Sequence, residues 1–272
     1  MWAGRLKKLV LVVCCVLLVA SCSKFRKIQR SEDWRVKYEA ALNYYNKKDY
    51  YRAALLFEEV RPITRGLPEG EKVEFYLAYC QYNERTYLLA SSQFRSFFET
   101  YGRSALAEEA HFMYAFSLYR ASPDFNLAQK SSIEAMTAMQ TFLNQYPQSK
   151  YREQAIQVIT ECQGKLERKY YENAKLYLKL RYYKAALVAF DTFKENFPDS
   201  QYLEELAYLK VVAQFELAEQ SIQRLQPERY GSVISFYQEL VDNFPNSKFL
   251  REAEKMYSES LAIVNKSKTD NS

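Results

Sequence analysis

The sequence contains few residues that interrupt helices and almost none that carry acid–base chemistry at neutral pH. Its 272 residues include 6 Gly, 7 Pro and a single histidine, His111. Few Gly and Pro, combined with many Ala, Leu, Glu, Lys and Gln residues, favour long helices over sheets. We therefore expect an all-α protein whose function depends on surfaces rather than on reactive side chains.

Candidate catalytic chemistry is weak throughout the chain. His111 lies in a helical pattern with Phe112 and Phe116, and no Ser-His-Asp group, metal cluster or glycine-rich phosphate loop can be assembled around it. The pairs of adjacent acids are expected to lie on solvated helix faces: Glu58-Glu59, Glu108-Glu109 and Glu204-Glu205. We predict that the protein is not an enzyme and holds no metal and no cofactor other than a covalent lipid.

The charge balance gives no indication of a nucleic-acid partner. Residues 1–21 hold three basic residues and no acidic ones, and the remainder has 35 Lys and Arg against 33 Asp and Glu. A balance this close to neutral lacks the basic excess that phosphate backbones require.

Two cysteines, Cys80 and Cys162, lie in helical patterns. They are either a disulfide formed in an oxidising compartment or, as their apolar neighbours favour, two buried thiols.

The N-terminus has the order of parts found in a bacterial lipoprotein signal. Three basic residues precede the apolar run 9–20, which is too short to span a bilayer as a mature helix. The run ends in Val19-Ala20-Ser21-Cys22, which resembles a lipobox. The resemblance implies cleavage before Cys22 and attachment of diacylglycerol and an N-acyl chain, such as palmitate, to that residue. An ordinary secretory peptide is the alternative.

The lipoprotein reading also predicts where the chain resides and how it is divided. Ser23 rather than Asp follows Cys22, which by the sorting rule for such lipoproteins implies the outer membrane, with the protein facing the periplasm. We expect a signal peptide at 1–21, a lipidated tether at 22–30, a repeat domain at 31–265 and a frayed tail at 266–272. The basic residues of the tether are expected to favour anionic lipid headgroups.

A ten-residue stretch recurs along the chain and sets the register of an internal repeat. It begins at Phe142, contains Tyr146-Pro147 and Ser149, and has further copies at 193–202 and 240–249 and a worn copy at 97–104. Proline disfavours helical geometry in the residue before it, so each copy is expected to end a helix. The serines Ser149, Ser200 and Ser247 are expected to cap the next helix, and the apolar residue two positions later is expected to pack across the joint.

Small residues at a fixed spacing identify the repeat as tetratricopeptide-like. Three pairs are separated by twelve residues: Ala41 and Ala53, Ala78 and Ala90, and Ala174 and Ala186. Two longer units, with proline-containing insertions, pair Ala115 with Ala135 and Ala213 with Val233. The predicted fold is a solenoid of about five helical hairpins in a right-handed superhelix, closed by a last helix near 247–264.

The same register predicts a peptide-binding groove. The first helix of each tetratricopeptide hairpin lines the concave face, so its inward positions can be read from the repeat. In the first three repeats they are rich in rings: Tyr38, Tyr45, Phe75, Tyr79, Tyr82, Phe112, Phe116 and Tyr119. Such a groove suits an extended peptide with apolar or aromatic side chains. The alternative is that a slip of one position puts many of these rings in the core.

The chain resembles the BamD family, the tetratricopeptide lipoproteins of the machine that assembles outer-membrane β-barrels. The resemblance rests on Cys22, on five repeats and on the motif Tyr146-Pro147-x-Ser149-x-Tyr151. Gly102 replaces the proline in the second repeat and Arg65-Gly66 ends the first, which departs from the repeat consensus. The resemblance implies that the N-terminal repeats bind unfolded barrel-protein peptides. It also implies that the C-terminal repeats dock the periplasmic domains of the central barrel component.

Two other functions fit the sequence. One is a different periplasmic tetratricopeptide lipoprotein scaffold, which would coordinate envelope constriction or peptidoglycan enzymes. The other, less favoured, is a cell-wall-degrading enzyme built on a helical solenoid, which would need a paired acid and base in one cleft.

Overall fold

The structure is a computed structural model that describes residues 24–270. The predicted signal peptide, Cys22 and residues 271–272 of the predicted tail lie outside the described residues. Within residues 24–270 all regular secondary structure is helical, as the composition predicts. None of the helices in that range is long and apolar enough to cross a membrane.

The contacts divide the chain into two compact units. The described part of unit 1 is 24–123 with Gln129–Cys162, and that of unit 2 is Asp124–Ala128 with 163–270. Unit 1 contains α1 Trp34–Asn46, α2 Tyr50–Thr64, α3 Pro68–Asn83, α4 Tyr87–Thr100, α5 Ala107–Ala121, α6 Lys130–Gln145 and the first half of α7 Arg152–Lys179. Unit 2 contains the second half of α7, then α8 Tyr183–Asn196, α9 Leu203–Glu219, a 3-10 turn Gln223–Leu225, α10 Gln226–Asn243 and α11 Leu250–Asp270.

The five predicted hairpins are all present. They are α1/α2, α3/α4, α5/α6, the second half of α7 with α8, and α9/α10, and α11 follows the last. The small residues that set the register, Ala41, Ala78 and Ala174 among them, are fully buried. Without side chains beyond Cβ, they let the paired helices approach closely. Rings four residues after the second alanine, such as Phe57 and Phe94, are also fully buried.

Three hairpin turns share one backbone geometry. Lys48, Arg85 and Arg181 have φ angles of 61°, 62° and 62°. In each turn the following N–H bonds the carbonyl five residues back, as Thr86 does with Gln81 at 3.0 Å. This is the Schellman arrangement, in which one residue in the left-handed conformation lets a helix end and reverse within three residues.

The fifth repeat departs from the predicted register by two residues. Ala213, predicted to face the second helix of its own hairpin, instead belongs to the core cluster formed with α8. Val211 is the residue that packs with Val233 of α10. The prediction was wrong because both positions are small or β-branched and fully buried, so composition alone does not separate them.

The recurring stretch forms the corners between hairpins, as predicted. Ser149 Oγ accepts a hydrogen bond from the Tyr151 N–H at 3.0 Å, and Ser200 and Ser247 make the same contact with the residue two positions on. Each α-helix begins three residues after its serine, so the serine caps a preceding turn and not the α-helix itself. The ring two residues on packs across the joint, as Tyr151 does on Phe112 with centroids 4.4 Å apart.

The ends of the repeat domain are more ordered than the predicted tether and tail suggest. Residues 24–29, within the predicted tether, are helical. Phe25 packs edge-on against Tyr44, with ring centroids 5.7 Å apart, and Gln29 donates a hydrogen bond to Glu59 at 2.8 Å. At the other end, α11 continues through the predicted boundary at residue 265 to Asp270.

Candidate peptide-binding surface

The first helices of the three N-terminal hairpins lie side by side in unit 1. Tyr45 of α1 contacts Tyr76 of α3 with ring centroids 4.7 Å apart. Tyr82 of α3 contacts Phe116 of α5 at 6.2 Å. These contacts place the rings of α1, α3 and α5 on one surface, which is the surface predicted to bind peptides.

The eight predicted groove residues divide into two groups. Tyr38, Phe75 and Phe112 are buried, with exposed fractions of 7%, 5% and 2%. They lie in the core clusters beneath the surface, as the alternative of a one-position slip predicts for these three. The other five rings are half-buried: Tyr45, Tyr79, Tyr82, Phe116 and Tyr119. We call these five the ring row.

The ring row is held in place by the core rings below it. Phe75 contacts Tyr79 at 5.0 Å, and Phe112 stacks on Phe116 at 5.4 Å. Edge-to-face and offset contacts of this kind add to the stabilisation that burial supplies. The buried rings therefore position the half-buried ones, and both groups contribute to the surface in different ways.

Carboxylates on the neighbouring helix fix two members of the row. The Tyr79 hydroxyl donates to Glu109 Oε1 at 2.5 Å, and the Tyr119 hydroxyl donates to Glu161. Burial and this hydrogen bond raise the pKa of Tyr79 well above its usual value. The bond to Glu161, assisted by burial, raises the pKa of Tyr119 to about 12. Both hydroxyls therefore remain protonated donors across the physiological range.

The prediction that the acid pairs are solvated surface was wrong for Glu59, for Glu205 and for both Glu108 and Glu109. Glu109 accepts from Tyr79, Glu59 pairs with Lys37 at 2.6 Å, and Glu205 pairs with Lys175 at 2.8 Å. Each of these contacts joins two helices. The signal in the sequence is that Tyr79 and Glu109, and likewise Lys175 and Glu205, are thirty residues apart.

Arg120 completes the surface together with Tyr87, which the repeat register did not place in the groove. Arg120 is exposed, donates to the Tyr87 hydroxyl at 3.2 Å and lies over its ring at 5.5 Å. Tyr87 in turn contacts Tyr82 of the ring row at 5.4 Å. An exposed guanidinium is thereby held beside aromatic rings, an arrangement that can bind a carboxylate next to an apolar side chain.

The described residues offer no metal site, and burial suppresses the reactivity of Cys80. No group of three or more potential ligands comes together within residues 24–270. Cys80 and Cys162 are buried thiols, as their apolar neighbours predict. Burial, with a smaller effect of Glu84, raises the pKa of Cys80 to about 12, which keeps it protonated and unreactive.

Most of the chain matches one family of known proteins. Residues 31–188 and 174–263 match the YfiO family, described as outer membrane lipoprotein. A relative from Aquifex aeolicus (strain VF5), provisionally named outer membrane protein assembly factor BamD, is 29% identical over 195 residues. That match covers 71% of this chain and 64% of the relative, so the chain spans under two thirds of the relative's length.

Solved structures with related helix arrangements are more distant. The TPR2AB domain of yeast Sti1 in complex with an HSP90 peptide has 12% identity and a TM-score of 0.41, over 84% of this chain and 98% of that one. The human IFIT1 dimer with m7Gppp-AAAA has 17% identity and a TM-score of 0.28, over 89% and 60%. These likenesses are too weak to carry an argument. The family match spans most of the chain, and the chain therefore belongs to the YfiO family of outer membrane lipoproteins.

Proposed function

We propose that the protein is a scaffold that takes part in assembling β-barrel proteins into the outer membrane. Membership of an outer membrane lipoprotein family and the name of the Aquifex relative support this role. We further propose that Cys22 carries the lipid and that the folded body faces the periplasm. Unit 2 would contact the central barrel component through that component's periplasmic domains.

The observation that carries the proposal is the ring row beside Arg120. Unfolded barrel proteins present C-terminal segments that end in an aromatic residue with a free carboxylate. The half-buried rings Tyr82 and Phe116 offer faces on which an aromatic side chain can stack. Arg120, held by Tyr87, lies on the same surface and can pair with the terminal carboxylate.

The first test is direct binding of a peptide to the full mature chain. The probe is a fluorescent peptide with the C-terminal sequence of a barrel protein, its last aromatic residue and its free carboxylate intact. Fluorescence anisotropy should show Phe116→Ala and Arg120→Glu weakening binding by about tenfold each, since aromatic and Arg anchors dominate such interfaces. Arg120→Lys should retain part of the affinity because it keeps the charge and loses the fork geometry.

Matched controls make the outcome specific. Leu88 on α4 is 62% exposed, so Leu88→Ala removes a comparable apolar side chain away from the row and should leave affinity unchanged. A peptide with its last aromatic residue replaced by Ser should bind about tenfold more weakly. Equal binding of both peptides, or equal affinities of the wild type and Phe116→Ala, would exclude the ring row as the substrate site.

A further inference from the structure

Unit 2 exposes six large apolar side chains along the second half of α7, the turn that follows it and α8. Their exposed fractions are 46% for Tyr170, 49% for Leu176, 43% for Tyr177, 52% for Leu180, 61% for Tyr182 and 67% for Val188. Contiguous apolar patches on the surface of a soluble monomer usually mark interaction sites.

Three of them, Tyr170, Tyr177 and Val188, line a groove between α7 and α8. The groove has a volume of about 600 Å³. It is lined by Tyr170, Asn173, Ala174 and Tyr177 of α7 and by Lys184, Ala185, Val188, Ala189 and Thr192 of α8. The α7 residues fall at i, i+3, i+4 and i+7, so they make one continuous stripe along the helix. We call this the α7/α8 groove.

The same face is covered by a helix in other repeats. In repeat two the corresponding face carries Glu74 and Leu77. They lie four residues and one residue before Ala78, just as Tyr170 and Asn173 lie before Ala174. Glu74 pairs with Arg61 of α2 at 2.7 Å, and Leu77 is fully buried in the cluster that contains Val60 of α2. In repeat five the face packs on α8, where Lys210 pairs with Asp191 at 2.6 Å. In both cases the occupant is the second helix of the preceding repeat.

Within the described residues of unit 2, no helix covers the corresponding face of repeat four. The preceding helix, α6, packs against the first half of α7 within unit 1, where Met139 and Phe142 share a core cluster with Ala155 and Val158. The second half of α7 then forms the next hairpin with α8. Its stripe carries the exposed Tyr170 and Tyr177 at positions that take a helix in repeats two and five.

The groove is lined by a basic residue and lies in a basic segment of the chain. Lys184 is in its lining, and no acidic residue is. Residues 163–192 contain seven basic and three acidic side chains. Two of those acids are engaged within unit 2, Glu167 with Ser200 and Asp191 with Lys210, and one of the bases, Lys175, is paired with Glu205. A partner with acidic residues beside its apolar stripe is therefore electrostatically complementary.

We propose that the α7/α8 groove binds an amphipathic helix of another protein, one with an apolar stripe flanked by acidic residues. The partner helix takes the place that α2 has on repeat two and α8 has on repeat five. This binding site lies in unit 2 and uses none of the ring row, so its failure and the failure of the proposed function are distinguishable.

A designed peptide tests the chemistry of the groove. The probe is a fluorescent helix of about 16 residues, or ~24 Å, with Leu at i, i+3, i+4 and i+7 and Glu on both flanks. A second probe replaces each Glu with Lys. Binding to the full mature chain should favour the acidic probe about tenfold, and Val188→Glu should weaken it by about tenfold. Lys184→Glu should reduce the preference for the acidic probe, while Leu88→Glu on α4 should change nothing.

Cross-linking in cells tests whether a natural partner of this kind exists. A photoreactive residue at position 177 of the lipidated chain should yield adducts that mass spectrometry maps to an acidic amphipathic helix of another protein. Adducts to lipid, to an extended segment or to a second copy of this chain would overturn the proposal, as would the absence of adducts. Equal binding of the acidic and basic probes, or unchanged binding by Val188→Glu, would also overturn it.

Discussion

At the scale of single residues, His111 shows how a polar side chain can serve packing alone. It is 3% exposed and stacks on Phe98 with ring centroids 4.2 Å apart. Tyr114, Phe142 and Tyr146 also surround the imidazole. Burial lowers the pKa of His111, against the opposing effect of a hydrogen bond with Gln145. The folded state therefore favours the neutral imidazole.

The depressed pKa predicts a pH dependence of stability. The unfolded chain binds a proton at His111 near the usual pKa of about 6.5, and the folded chain does so only at lower pH. Stability should therefore be fully present above about pH 6.5 and should fall as the pH drops towards 5. Denaturant unfolding between pH 7.5 and 5 should show this loss.

His111→Phe should flatten that dependence. Phenylalanine keeps the ring contacts and cannot be protonated, and His111 is the sole histidine in the chain. The lowered carboxyl pKa values of Glu59, Glu205 and Glu239 act at more acidic pH. A wild type and a variant with the same slope between pH 7.5 and 5 would contradict the burial argument.

At the scale of elements, α7 is the longest helix among the described residues. It is a single helix of 28 residues that contributes to both units, and it carries Gly164 in its interior. Glycine in a helix interior is destabilising because the unfolded chain has more freedom to lose. A Cβ at Gly164 would have no heavy atom within 4 Å, so no contact requires the glycine.

Gly164→Ala should therefore stabilise the protein by ~0.5–1 kcal/mol. Gly70 in α3 is the matched control, since a Cβ there would lie 2.3 Å from the Thr64 carbonyl oxygen. Gly70→Ala should destabilise the protein, because the contact is with backbone and the α2–α3 corner would have to shift. Urea unfolding of both variants measures the two signs, and a destabilising Gly164→Ala would show that α7 needs the glycine.

The corner serines make a second contact at the scale of elements. Ser149 donates to Glu108 at 2.6 Å while it accepts from the Tyr151 N–H. Ser104 and Ser200 make the equivalent contacts with Glu71 and Glu167. Each of these acids lies seven residues before the small residue that sets the register, so each joins the start of one hairpin to the corner that ends it.

A double-mutant cycle tests this link. Ser149→Ala should cost ~1–2 kcal/mol of unfolding free energy, because it removes the cap and leaves Glu108 without its donor. Glu108→Gln should cost less. The coupling between the two changes should be ~1 kcal/mol. A coupling of zero would mean that the contact contributes nothing to stability, whatever its geometry.

The sequence was sufficient to predict the hairpins because each is specified locally. The Ala41-to-Ala53 spacing and the Tyr146-Pro147 corner need no long-range information. Only the structure separates the half-buried rings of the ring row from the buried rings Phe75 and Phe112, since these residues lie a few positions apart on the same helices. The Ser149–Glu108 bond and the Arg120–Tyr87 contact join residues 41 and 33 positions apart, and helical periodicity does not report pairings at that range.

At the scale of the whole molecule, the two units present different surfaces. Unit 1 carries the ring row and the N-terminal helical segment 24–29, which follows the proposed lipid site at Cys22. Unit 2 carries the α7/α8 groove. A scaffold that binds a substrate through one unit and a partner through the other needs both units and a membrane attachment, which is the organisation we propose for this chain.

The most direct test of this account is depletion of the protein from its own cells, followed by measurement of folded β-barrel proteins in the outer membrane. We expect depletion to lower the amount of folded barrels. Wild-type protein and Leu88→Ala should restore them, and a Phe116→Ala, Arg120→Glu double variant should restore them poorly at equal protein level. Normal amounts of folded barrels in depleted cells would contradict a role in their assembly.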